Sequence, residues 1–196
     1  TYHYLRADVD GALINLRAID DNGQQIDQLT LTTPPVVSRS GVVNAASFTT
    51  SLAPGSLVTI FGRLLGAEDA GAARMPLPTE LAGVSVTTNG RRLPLMFVGR
   101  GQINAQLPFD VQGSTTLRIT SPGGSVEVPV TISEPAPAIF STTAQLGERP
   151  AVIHTTGALV SDSNPARPGE VVSVFLTGLG RPEGDIAAGQ AAPSTP

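Results

Sequence analysis

The sequence predicts an all-β protein made of short strands. Gly (21) and Pro (17) form about a fifth of its 196 residues with no collagen-like period, which means frequent turns. Apolar and polar residues alternate in short runs bounded by turn dipeptides such as Asp10-Gly11 and Asn89-Gly90. Long runs of helical period are missing. Hydrophobic residues are 40% of the chain but aromatics only 4%, with no Trp, so the core must be aliphatic.

Residues 1–32 read as a three-stranded antiparallel meander. Tyr4–Val9, Leu13–Ile19 and Ile26–Leu31 are the strands, and Asp10-Gly11 and Asp20-Asp21-Asn22-Gly23 are the turns. Three such strands are marginal alone, so this unit reads as the end of an upstream domain. Residues 33–40 hold Pro34-Pro35 and are expected to form a stiff extended linker. Residues 41–135 carry strands at Leu57–Phe61, Val84–Thr88, Leu93–Val98, Gln102–Phe109, Thr115–Thr120 and Val126–Ile132, the spacing of a sandwich. Between the first two, Gly66–Thr79 reads as loop with at most one turn of helix. Residues 136–196 begin another unit, with short strands at Ala151–His154, Ala158–Val160 and Val171–Leu176; the tail from Ile186 reads as loop.

One phrase is written twice. Ala53-Pro54-Gly55-Ser56 precedes Leu57–Phe61, and Arg167-Pro168-Gly169-Glu170 precedes Val171–Leu176. Around the first copy, Asn44-Ala45-Ala46-Ser47-Phe48, Phe61-Gly62, Leu81-Ala82-Gly83-Val84, Asn89-Gly90 and Gln102–Pro108 follow in order. This pattern resembles a C-terminal module of large exported acidobacterial proteins that carries immunoglobulin-like units of the IPT/TIG type. The resemblance spans residues 41–196. It implies tandem immunoglobulin-like β-sandwich units, an extracellular or cell-surface location and no reaction. In that family the second unit continues past the Thr177-Gly178-Leu179-Gly180 turn, so residues 136–196 read as the start of an incomplete unit, and the chain as a piece of a longer protein. The meander more weakly resembles the closing strands of calcineurin-like metallophosphoesterases, whose metal ligands lie upstream of such strands.

The chemistry-bearing residues are few. Net charge is −4, and all twelve basic residues are Arg, so no basic patch invites nucleic acid. Arg91-Arg92 reads as a solvated hairpin tip. Cysteine is absent, which excludes disulfides and thiolate metal sites. No apolar stretch reaches the roughly 18 residues of a membrane-spanning helix. His3 and His154 are the only histidines, too few for a dinuclear site; both read as ordinary strand residues. A triad of His154, Asp162 and a serine lacks the Gly-x-Ser-x-Gly elbow. Asp8, Asp10, Asp20, Asp21, Asn22 and Asp27 supply oxygen ligands, but their spacing fits turns better than a calcium loop. Phe48, Phe61, Phe97, Phe109, Phe140 and Phe175 are expected as core plugs, which weighs against sugar stacking.

No catalytic, cofactor-binding or metal-binding residue is therefore assigned. The expected role is a non-catalytic structural or interaction module: a spacer, attachment or assembly element with protein partners, able to self-associate into a filament by β-strand addition. Two alternatives stand beside it. One is a C-terminal part of a secreted metallophosphoesterase that assists its catalytic domain; the other is a carbohydrate- or cell-wall-binding module.

Overall fold

The computed structural model describes residues 2–133, 135–144, 147–184 and 186–191, and among these there is no helix. The meander comprises β1 (His3–Asp10), β2 (Leu13–Asp20) and β3 (Gln25–Thr32), antiparallel in the order β1-β2-β3. Next come β4 (Val36–Asn44), β5 (Leu57–Arg63), β6 (Ala70–Gly71), β7 (Ser85–Thr88), β8 (Arg91–Arg92), β9 (Leu95–Val98), β10 (Gln102–Gln106), β11 (Gly113–Ser121) and β12 (Gly124–Ile132). Short strands follow: β13 (Ala138–Ile139), β14 (Ser141–Ala144), β15 (Gly147–Pro150), β16 (Val152–His154), β17 (Val172–Val174) and β18 (Leu176–Thr177).

Strands β4 to β12 make two sheets, ordered β4-β5-β10-β9-β6 and β12-β11-β7-β8. Alternation decides their faces. On β11 the buried residues are Leu117, Ile119 and Ser121, and on β12 Val128, Val130 and Ile132; their neighbours along each strand are more exposed. Ile60, Leu95, Ile103 and Leu107 face them from the other sheet, all with no exposed surface. Two sheets whose apolar faces close on each other form a sandwich, compatible with an immunoglobulin-like arrangement. The chain changes sheets between β8 and β9, where Pro94 removes a donor and ends the hairpin that Asn89-Gly90 began.

Two expectations are corrected here. Residues 33–40 are not wholly linker, because β4 starts at Val36 and pairs Val36 with Arg63 and Val37 with Gly62. Proline fixes an extended φ at Pro34 and Pro35, which leads straight into a strand. The phenylalanines are not core plugs. Phe48, Phe61 and Phe175 are exposed, and Phe97, Phe109 and Phe140 are only half-buried. The inward positions of β5 are Val58 and Ile60, so Phe61 stands on the outer side.

The meander has one polar and one apolar face. The register places Leu5 beside Ala18, Ala7 beside Leu16 and Leu29, and Val9 beside Ile14 and Leu31. These apolar rungs share a face that nothing among the described residues covers: Leu5 and Val9 are each 70% exposed. The opposite face carries Arg6, Asp8, Asn15, Arg17 and Thr30. There Arg6 and Arg17 donate to Asp8, and Thr30 Oγ1 donates to Asn15 Oδ1 at 2.8 Å. The meander meets the sandwich at its first turn, where Thr33 N–H donates to Ala12 O at 2.9 Å and Gly123 packs against Thr33 and Ala12.

After β12 the strands form three two-stranded ladders, β13-β18, β14-β15 and β16-β17. The run Val171–Leu176 breaks at Phe175, whose N–H bonds Ala151 O, and Leu176 then moves to a different partner strand. This segment is tied to the sandwich edge. Asn44 Nδ2 donates to Ala136 O at 3.1 Å, and Leu57 N–H donates to Thr177 Oγ1 at 2.8 Å.

The repeated phrase is the same turn in both places. Ser56 N–H closes onto Ala53 O at 3.2 Å, and Glu170 N–H onto Arg167 O at 3.0 Å. Each turn has Pro second and a left-handed glycine third, with φ of 72° at Gly55 and 83° at Gly169. Their surroundings differ. A Cβ on Gly55 would sit 2.0 Å from Phe109 Cε1, whereas one on Gly169 meets nothing within 4 Å. Gly169→Ala should thus cost only backbone strain, about 1–2 kcal/mol. Gly55→Ala should cost distinctly more, because the Phe109 ring must also move. Urea unfolding followed by amide signals of β17 and β5 tests this; equal costs contradict it.

Candidate functional site

The outer face of the five-stranded sheet holds an uncharged cleft that joins aromatic rings with amide side chains. Cross-strand register sets three rungs there: Phe61 beside Gln102, Thr59 beside Asn104 and Leu57 beside Gln106. A bulge between Asn104 and Ala105 lets Met96 join Phe97 on this face. Phe48 comes from the loop after β4 and Phe140 from the segment after β13. The resulting cleft of about 300 Å³ is lined by Phe48, Leu57, Thr59, Met96, Gln102, Asn104 and Phe140, with Ala45 and Val58, and carries no charged side chain.

Asn44 builds the loop that presents Phe48. Its Oδ1 accepts from Ala46 N–H at 2.9 Å and Ser47 N–H at 3.2 Å, and its carbonyl accepts from Phe48 N–H at 2.9 Å. Phe48 is thereby held at φ 55°, a region that bulky side chains avoid. Phe48 is 60% exposed, and its ring makes a tilted contact to Phe61, with centroids 6.3 Å apart.

The amides that share this lining are partly engaged. Asn104 Oδ1 accepts from Gln102 Nε2 at 2.8 Å and from Thr59 Oγ1 at 3.3 Å. Asn104 Nδ2 and Gln102 Oε1 retain free donor and acceptor capacity among the described residues. Gln106 is engaged on both sides, donating to Gly55 O and accepting from Gly189 N–H. The cleft can stack against a flat apolar face and hydrogen-bond neutral polar groups; it contains no group that titrates near neutral pH.

His154, at the end of β16, lies apart from this cleft and is buried. Its Nδ1 donates to Glu170 Oε1 and its Nε2 to Asn164 O at 3.2 Å. Glu170 Oε2 in turn accepts from Arg167 N–H at 2.9 Å, joining the pair to the second Pro-Gly turn. With both ring nitrogens facing acceptors, the imidazolium is the favoured form. The Glu170 hydrogen bond, then that to Asn164, raises the His154 pKa against the opposing effect of burial. The Glu170 pKa is lowered, chiefly by the His154 hydrogen bond. Both ring nitrogens are thus engaged in hydrogen bonds within this segment.

The other sequence candidates are scattered. Asp162 pairs with Arg149 at 2.8 Å and not with His154. His3 stands on the edge strand opposite Asp20. Asp20 accepts from the Asn22 and Gln24 amides, and Asp27 from that of Gln28. Asp8 is held by Arg6 and Arg17; burial raises its pKa, but hydrogen bonds from Arg17 and Arg6 outweigh it and the net shift is downward. Arg91 pairs with Asp110, and Arg92 with Glu80 at 2.8 Å. Among the described residues no group of three His, Cys, Asp or Glu could hold a metal ion, and no helix is long and apolar enough to cross a membrane. Sequence reasoning missed Gln102, Asn104, Met96 and Glu170. The signal for the first two was present in the polar half of the Gln102–Gln106 alternation.

No family model, curated protein or solved structure matches this chain.

The His154–Glu170 pair makes a pH-dependent prediction. A raised histidine pKa contributes stability that is complete below its ordinary value of 6.5 and is lost as pH rises through the folded value. A lowered carboxylate pKa contributes stability that is complete above 4.5 and is lost as pH falls through the folded value. The β16–β17 ladder should therefore be most protected between these limits and loosen on the alkaline side. NMR titration should place His154 above 6.5, and Glu170→Gln should bring it down; an unchanged midpoint in Glu170→Gln contradicts the assignment.

Proposed function

We propose that this chain is a non-catalytic structural and interaction module of an exported protein, and that it associates with a second copy of itself through the meander. The uncovered apolar face of β1-β2-β3 carries the proposal. A sheet with one apolar face is stable when that face is packed against another layer, and a second copy supplies an identical face. The rungs from Leu5, Ala7 and Val9 to Leu29 and Leu31 carry no charge that would repel a copy; Asp27 lies at the rim. Three strands about 4.8 Å apart and eight residues long give a face of roughly 400 Å². Two copies would bury roughly 800 Å², below the ~1,200–2,000 Å² of a stable interface. Face packing alone is therefore weak and reversible. Among the described residues the outer edges of β1 and β3 have no partner strand, and pairing there would extend the contact by strand addition. The exported setting is supported by the sequence resemblance of residues 41–196.

Light scattering across a concentration series tests this reading. The chain should move from monomer toward dimer or longer species as concentration rises, and the Leu5→Glu/Leu29→Glu variant should stay monomeric with an unchanged fold. A wild-type chain that remains monomeric at millimolar concentration overturns it.

A further inference from the structure

We infer that the cleft lined by Phe48, Phe140 and the Gln102–Asn104 pair binds a neutral saccharide chain. The main-chain groups of β5 and β10 are already bonded to each other, so the sheet face gives a ligand no backbone donors or acceptors. Recognition there rests on side chains alone. An extended peptide, which binds sheets by pairing with an unpaired edge, finds no edge here.

What remains is the Phe48 ring, in tilted contact with Phe61, and the Phe140 ring, lining one cleft with two amides. The hydrophobic C–H face of a pyranose stacks on such rings, and its hydroxyls are matched by the Asn104 Nδ2 donor and the Gln102 Oε1 acceptor. The lining has no charge, so a neutral sugar loses no ion solvation on entry, while an anionic one would find no counter-charge. A volume of about 300 Å³ lies at the small end of ligand sites, the size for one or two sugar rings of a longer chain that continues into solvent. Phe48 supports the same reading. A large apolar ring is held exposed on a left-handed backbone by three hydrogen bonds to Asn44, a strain that the ring's own burial does not offset.

The test is an NMR titration of the isotopically labelled chain with cellohexaose, laminarihexaose and chitohexaose in turn. At least one should shift the Asn104 and Gln102 side-chain amides in a saturable way. Phe48→Ala should weaken that binding about tenfold, with Phe48→Leu as a variant that keeps apolar volume but removes the π face. The Leu5→Glu/Leu29→Glu variant should bind undiminished, which separates this site from self-association. No shift with any of the three saccharides overturns the inference. So do shifts confined to other parts of the chain, binding unaffected in both Phe48 variants, or shifts produced by a hexaproline peptide but by no saccharide.

Discussion

The structure depends on one closed aliphatic layer. Ile60, Leu95, Ile103 and Leu107 from one sheet meet Leu117, Ile119, Val128 and Ile132 from the other, all essentially without exposed surface. Each such side chain contributes about 1.5–3 kcal/mol on full burial. These residues leave no space for a benzyl ring between the sheets at native packing density. Period-two alternation then does the rest. Once Val58 and Ile60 point inward, Leu57, Thr59 and Phe61 must point outward, and so must Gln102 and Asn104 on the paired strand. The cleft face is thus a consequence of core packing.

The flanking units lack such a layer. The meander has regular ladders but a bare apolar face, and after β12 the residues flanking β17 and β18 expose Val171, Phe175 and Leu179. Their order comes from backbone pairing and from a few anchors to the sandwich. Asn44 illustrates how tightly these roles are linked: its carbonyl and Oδ1 shape the loop carrying Phe48, while its Nδ2 holds Ala136 at the start of the next segment. Gly178, at φ 85°, lies so close to Ala136 O that a Cβ would come within 2.0 Å.

Much of this was legible in the sequence. The meander and its hairpins followed from Asp-Gly, Asn-Gly and alternation, and the doubled Pro-Gly phrase marked the same turn twice, because only glycine adopts that φ freely. What alternation cannot state is which face is the inner one. Phe61 and Ile60 are equally apolar neighbours, and the register with β10 alone decides between them. Long-range partners were invisible for a similar reason. His154 and Glu170 are sixteen positions apart, and no local pattern says that the turn at Pro168-Gly169 brings the carboxylate back. Val36–Ser40 read as linker because its partner, the far end of β5, lies beyond local sequence.

Native-state hydrogen exchange measures the central claim most directly. If a single closed layer supports the molecule, the amides of β5, β10 and β11 exchange slowest and together, at the free energy of global unfolding. Those of β1–β3 and β16–β17 exchange faster, by smaller openings that leave the sandwich intact. Protection in the isolated meander of a dilute monomer equal to that of β5 would contradict the account.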